Sequence, residues 1–316
     1  MTELGSRLLS GEDGTLAPQR GADWLAAAAD QGSGEACALV AVLAAAGACR
    51  PQSWEIALDY LQRSAELGWE PARKQLALLA ADRKLVDREE EATAKATAGW
   101  QRLRLAIDIG AWIACPPKQS LSESPRIRKI ENFASEALCA WLIERARSKL
   151  SRARTYDIET AEGVVETSRT NSEADFNIVE SDLILILLRA RIATATGLPP
   201  AVMELTKVLH YAVGQQFSPH FDFIDPAAPG LAGEMEARGQ RLVTFLVYLN
   251  DDYEGGEIDF PSIGLRHRGR RGDALLFANV DLVGNPDRRT LHAGLAPTRG
   301  EKWLLSQWIR DRTPAV

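Results

Sequence analysis

Apolar and polar positions alternate with two rhythms along this 316-residue chain. In the first third, alanines and leucines recur at the spacing of one helix face. Ala22-Asp23-Trp24-Leu25-Ala26-Ala27-Ala28-Ala29-Asp30-Gln31-Gly32 aligns, 36 positions later, with Leu58-Asp59-Tyr60-Leu61-Gln62-Arg63-Ser64-Ala65-Glu66-Leu67-Gly68. Each unit reads as a helix stopped by glycine and followed by a second helix. No third copy aligns after Ala80. Residues 84–110 read as a capping helix, with a charged start at 87–91 and Trp100, Leu103, Leu105, Ala106, Ile109 and Trp112 as its apolar positions. Residues 1–18 are polar and Gly-rich and read as a loose end.

After Cys115 the rhythm changes. Residues 115–125 hold three prolines and three serines and read as a linker. Arg126-Ile127-Arg128-Lys129-Ile130 alternates as a strand does. Ser135 caps a predicted helix to about residue 150, and 177–196 reads as a second, with Leu183, Ile184, Ile186, Leu187, Ala190 and Ile192 apolar. Residues 208–213, 242–249, 265–268, 274–277 and 303–309 then read as strands. Short strands between turn signals predict a closed or sandwiched β-structure. Residues 224–240, rich in Pro, Gly and Ala, read as a lid or a surface insertion. The organisation expected is thus a loose end over 1–18, an all-α helical-repeat domain over 19–114, a linker over 115–125, and an α+β domain over 126–316.

Composition narrows the partners. A net charge of −6 lacks the basic footprint that nucleic acid demands. Cys37, Cys49, Cys115 and Cys139 form no Cys-x-x-Cys pair and read as reduced thiols. Residues 1–15 lack a basic start followed by an apolar run, and the apolar run 38–49 is too short to span a bilayer. These signs predict a cytoplasmic protein with no membrane partner.

The chemistry gathers between residues 209 and 308. His220-Phe221-Asp222 places a histidine and a carboxylate two apart, so an extended segment turns both to one face. His292 would close the set from a distant strand. Two histidines and one carboxylate are the facial triad of non-haem Fe(II) oxygenases, which leaves coordination positions open. Lys302, a cation in an apolar strand, suits an anionic co-substrate.

With Tyr211 nine residues before His220, the run Arg241-Leu242-Val243-Thr244-Phe245-Leu246-Val247-Tyr248-Leu249-Asn250, then Gly255-Gly256-Glu257, Phe260-Pro261 and Gly272-Asp273-Ala274-Leu275-Leu276-Phe277, this set resembles the prolyl 4-hydroxylase family of Fe(II)/2-oxoglutarate-dependent dioxygenases. The likeness covers about residues 126–311 and includes Arg169-Thr170-Asn171. Ile258 stands where the family usually has threonine, and Asn171 where it has serine.

The resemblance implies a double-stranded β-helix, or jelly-roll, catalytic domain with flanking helices. It implies His220, Asp222 and His292 as catalytic metal ligands for Fe(II), Lys302 and Tyr211 on 2-oxoglutarate, and Arg241 and Trp308 near the substrate. Dioxygen is the second co-substrate and L-ascorbate a supporting reductant. The implied reaction hydroxylates a prolyl residue of a peptide or protein, with succinate and CO2 as co-products. A free amino acid or small natural product is the alternative substrate, and a non-catalytic helical scaffold the alternative class. Asn279 and Asp281 are candidates for orienting the ligands, while His210 reads as packing and His267 as part of a solvated hairpin. The 36-residue spacing upstream resembles Sel1-like repeats, relatives of tetratricopeptide hairpins. That likeness implies either a docking surface for a protein partner over 19–114 or a helical brace.

Overall fold

The structure, a computed structural model, describes residues 1–81, 97–156, 163–164, 167–228 and 231–313. Its compact units are Met1–Ala114 with Phe176–Thr196, and Cys115–Asp175 with Gly197–Val316.

The first unit is helical. Helices Pro18–Asp30 and Gly34–Ala46 form one antiparallel pair, Trp54–Glu66 and Glu70–Ala81 another. Ser33 and Ser53 cap the second and third of these through their hydroxyls. Gly32 and Gly68 turn both pairs at φ +90°, a left-handed conformation that favours glycine. The expected loose end is instead partly helical: Thr2–Ser10 forms a helix that buries Gly5, Leu8 and Leu9. A β-carbon on Gly5 would meet the Gly21 carbonyl oxygen at 2.9 Å, so paired glycines let these helices cross closely. Of the expected capping helix, residues 84–96 lie outside the described residues. The remainder is two helices, Thr97–Ala106 and Ile109–Ile113, with Trp100, Leu103 and Trp112 buried. Leu105, expected on the apolar face, is 69% exposed.

Leu183–Thr196 also belongs to this unit, which corrects its expected place in the domain over 126–316. Asp182 starts the helix by accepting the Leu185 amide at 2.8 Å. Six consecutive residues from Leu183 to Leu188 are buried. A helix apolar on all sides needs cover on all sides. It packs against Gly34–Ala46, Glu70–Ala81 and Ile109–Ile113.

The second unit faces two sheets against each other. The larger runs Lys118–Glu123, Arg126–Ile130, Ala274–Ala278, Arg241–Tyr248, Lys302–Arg310, Thr206–Tyr211, Ser172–Phe176, Ser151–Arg152. The smaller runs Leu265–His267, Ile258–Phe260, His292–Gly294, Phe217–His220. Leu209, Leu246, Leu275, Phe277 and Leu304 of the first meet Ile258 and Phe260 of the second in one core. The helix Glu136–Arg147, capped by Ser135 as expected, packs beside Thr206–Tyr211. Most of the expected linker is an edge strand: Lys118–Glu123 pairs antiparallel with Arg126–Ile130. Only Leu121 reaches the core from it, so it carries no apolar alternation to read. Four cysteines are free, two of them buried. Among the described residues, no helix is long and apolar enough to cross a membrane.

Candidate metal and co-substrate site

Strand pairing brings the two histidines together. His220 and His292 are direct partners across two antiparallel strands, and their ring centroids lie 4.3 Å apart. The register is irregular between Phe217–His220 and His292–Gly294. Pro219 lies there, on an edge strand where its missing N–H costs little. Asp222, just past that strand, turns back between the rings. Its Oδ1 is 3.5 Å from His220 Nε2 and its Oδ2 is 3.5 Å from His292 Nε2. One donor atom from each of the three falls within 4.8 Å of the others.

Both rings present a lone pair to that point. His220 Nδ1 donates to the Ser218 carbonyl at 2.8 Å, and His292 Nδ1 donates to the Thr290 carbonyl at 3.0 Å. A carbonyl only accepts, so the proton sits on Nδ1 and Nε2 is bare. Burial, with His220 alongside, pushes His292 down to about 4, so the ring is neutral near pH 7. Burial opposes ionisation of Asp222. The facing imidazoles and the Thr244 hydroxyl outweigh it and hold the carboxyl below its usual range. Two imidazoles and one carboxylate are a ligand set that Fe(II) takes.

The next strands supply a pocket. Lys302 and Tyr211 are direct partners across Lys302–Arg310 and Thr206–Tyr211. The Lys302 ammonium lies 5.0 Å from the Tyr211 ring centre. Lys302 is fully buried, and burial pushes it down to about 7. Among the described residues its one hydrogen-bond partner is the Gly256 carbonyl, at 2.6 Å. A buried cation without a carboxylate is costly unless an anion joins it. Tyr211 is buried too, and burial raises its hydroxyl to about 12, so it stays protonated as a donor. Tyr211, Leu246, Ile258, Leu304 and Ser306 line a small inner pocket with the three candidate ligands.

A cleft of about 620 Å³ opens from His220 and Asp222. Arg241 and Trp308, the expected substrate residues, both line it. Arg241 is committed to the protein: its Nε and Nη2 grip both oxygens of Glu204 at 2.6 and 3.0 Å. Its guanidinium lies 3.8 Å over the Trp308 ring. Arg310 shares Glu204 at 2.7 Å. Burial disfavours charge on Glu204, yet the two arginines hold it down to about 2. The segment 224–240 is ordered where described, with a helix over Ala232–Arg238; Pro229 and Gly230 lie outside the described residues. Gln240 clasps the Ile224 amide and carbonyl, each at 2.7 Å, and Arg310 binds both Glu234 and the Gly239 carbonyl.

Other expected residues separate clearly. His210 faces away, bonded to Glu301 at 2.8 Å and against Trp303. Asp281 only braces its own turn, through Val283 and Asn285. His267 is half-buried rather than solvated, and its carbonyl accepts the Tyr248 hydroxyl. Sequence reasoning missed Thr244, which donates to Asp222 Oδ2 at 2.7 Å. It missed Glu204 and Phe217 as well. Phe217 stacks on His220 at 3.5 Å, with Arg169 on its other side. A carboxylate at Met203-Glu204-Leu205 was the available signal, since a buried charge requires partners.

Residues 206–310 match the 2OG-Fe(II) oxygenase superfamily. The chain is 30% identical to Prolyl 4-hydroxylase 13 of Arabidopsis thaliana over 223 residues, 66% of this chain and 79% of that one. It is 35% identical to Probable prolyl 4-hydroxylase 9 of the same plant over 213 residues, 62% and 72% of the two chains. A solved viral collagen prolyl hydroxylase from Paramecium Bursaria Chlorella virus-1, in a 2OG complex, superposes with TM-score 0.44 at 26% identity over 58% of this chain and 94% of that one. On the strength of the sequence relatives, this chain belongs to the prolyl 4-hydroxylase family of 2OG-Fe(II) oxygenases.

Proposed function

We propose that this protein uses Fe(II), 2-oxoglutarate and dioxygen to hydroxylate a prolyl residue in a peptide or protein. His220, Asp222 and His292 hold the iron, and Lys302 with Tyr211 receives the distal carboxylate of 2-oxoglutarate. When bound, iron and 2-oxoglutarate supply the oxidising chemistry, with succinate and CO2 as co-products and L-ascorbate in support. The chain's own part is placement. Ser218 and Thr290 carbonyls fix the histidine tautomers, and the apolar inner pocket keeps water from the reacting centre. The observation that carries the reading is the buried Lys302 ammonium beside Tyr211, which forms no ion pair among the described residues and feels only the Glu257 carboxylate from a distance.

A cleft of about 620 Å³ lined by Phe217, Phe221 and Trp308 exceeds what one free amino acid fills, which supports a polypeptide substrate. Arg241, held flat by Glu204, and Trp308 act as its wall. We read the two helical pairs over 19–81 as Sel1-like hairpins, because their helices start at equivalent positions one repeat apart. A protein partner or substrate would engage that unit. The four free thiols accord with a reducing, cytoplasmic setting.

The test is 2-oxoglutarate-to-succinate turnover with proline-containing peptides and with free proline, in wild type and His220→Ala. Peptide-stimulated turnover that vanishes in the variant is expected. Wild-type turnover in His220→Ala removes the iron assignment, and stimulation by free proline alone moves the substrate to small molecules.

A further inference from the structure

We propose that Thr244 and Asn279 are positioning residues that set the metal affinity of the site, by aiming the Thr244 hydroxyl hydrogen bond at one oxygen of Asp222. The proposal rests on the ligand assignment above. Thr244 Oγ1 lies 2.7 Å from Asp222 Oδ2 and 3.0 Å from Asn279 Nδ2. All three residues are buried. An ionised carboxylate only accepts, so the threonine proton points to Asp222. The threonine oxygen is then left as an acceptor, and the group facing it must donate. The Asn279 amide nitrogen does so. Turning that amide over would set its oxygen against the threonine oxygen and pull the proton off Asp222.

The amide pays for this orientation. Asn279 is fully buried, and its Oδ1 has no hydrogen-bond partner among the described residues. An orphaned buried acceptor costs on the order of 1–3 kcal/mol. Such a residue stands out among buried polar groups, which are nearly always satisfied. Asn279 also reaches the second ligand by its main chain. Its carbonyl accepts the Asp287 amide at 3.0 Å, and Asp287 in turn accepts the Thr290 amide and hydroxyl. The Thr290 carbonyl holds His292 Nδ1. One residue therefore ties Asp222 through its side chain and the His292 turn through its backbone. Side-chain replacement cuts only the first tie.

The test titrates full-length, metal-free protein with Mn(II) and reads the dissociation constant by calorimetry or by loss of the free-ion EPR signal. Thr244→Val and Asn279→Leu are each expected to weaken binding about 10-fold, as for other groups that orient a metal ligand. Thr244→Ser, which keeps the hydroxyl and loses a methyl, is expected to retain wild-type affinity. A packing role gives the reverse order, since valine has the shape of threonine and serine does not. The double variant Thr244→Val with Asn279→Leu should be no weaker than Thr244→Val alone, because the two act in series. Circular dichroism checks that each variant is folded. If Thr244→Val folds poorly, Asn279→Leu against Thr244→Ser decides. Equal Mn(II) affinity in folded wild type, Thr244→Val and Asn279→Leu overturns the proposal and leaves the ligands standing. A wild-type protein that binds no Mn(II) overturns the ligand assignment and the proposal together.

Discussion

Lys302 and Arg241 are buried cations on strands that pair with each other, and they keep very different company. Arg241, at the cleft, has both oxygens of Glu204, shares that carboxylate with Arg310, and is covered by Trp308. Lys302, strand partner of the pocket residue Tyr211, has one carbonyl oxygen. The charge at the cleft is neutralised by a direct ion pair, while Lys302 has no such pair among the described residues and only the Glu257 carboxylate acts on it from a distance. In the function proposed above, the dianion would gain from Lys302 what Arg241 has already given to the fold. The contrast teaches that a buried cation is a ligand candidate only when its counter-charge is missing.

Lys302→Met should show the largest effect. The KM for 2-oxoglutarate is expected to rise roughly 10- to 100-fold, the equivalent of a hydrogen bond to a charged group at about 1.5–3 kcal/mol. Thermal unfolding of the ligand-free variant should hold or improve, because an unpaired buried charge is gone. A clear loss of stability with unchanged KM would make Lys302 structural and erase the contrast. Arg241→Met should do the opposite. Breaking a buried ion pair costs roughly 3–5 kcal/mol when the partner is wholly orphaned, and about 2 kcal/mol is expected here because Arg310 still serves Glu204. Its KM for 2-oxoglutarate should stay at the wild-type value; a rise matching that of Lys302→Met would show the two cations to be equivalent.

The smallest effect is one of pH. Burial moves Lys302 from 10.5 down to about 7. Between those values the unfolded chain holds a proton that the folded one has released. Ligand-free stability from this group therefore rises with pH across the window, by at most about 1.4 kcal/mol per unit. Only the protonated lysine binds a carboxylate, so 2-oxoglutarate affinity should fall about tenfold per unit above pH 7. Binding titrations at pH 7 and 8 in wild type and Lys302→Met check this. The same slope in both proteins would assign the titration to another group.

Much of the catalytic region was legible because its chemistry repeats at fixed intervals. His220, His292, Tyr211 and Lys302 sit on strands, Asp222 follows His220 by two, and the structure brings the three candidate ligands to one point and pairs Lys302 with Tyr211. Pairings between distant charges were not legible. Nothing near Glu204 in the chain points to Arg241 or Arg310, and nothing around Thr244 points to Asp222. Apolar content alone does not say which unit the Leu183–Thr196 helix joins; the spread of its buried residues all round the axis calls for helices on every side. Edge strand Lys118–Glu123 was hidden by its polarity.

The facing of His220 and His292 across one strand pair has a consequence for folding. Neighbouring side chains point to opposite sides of a sheet, so a slip of one residue would send an imidazole outward. Only the correctly aligned edge can gather three donors at one point. If those donors hold a divalent ion as proposed, the ion would favour the aligned edge during refolding by mass action, and so would proofread the sheet before any substrate arrives.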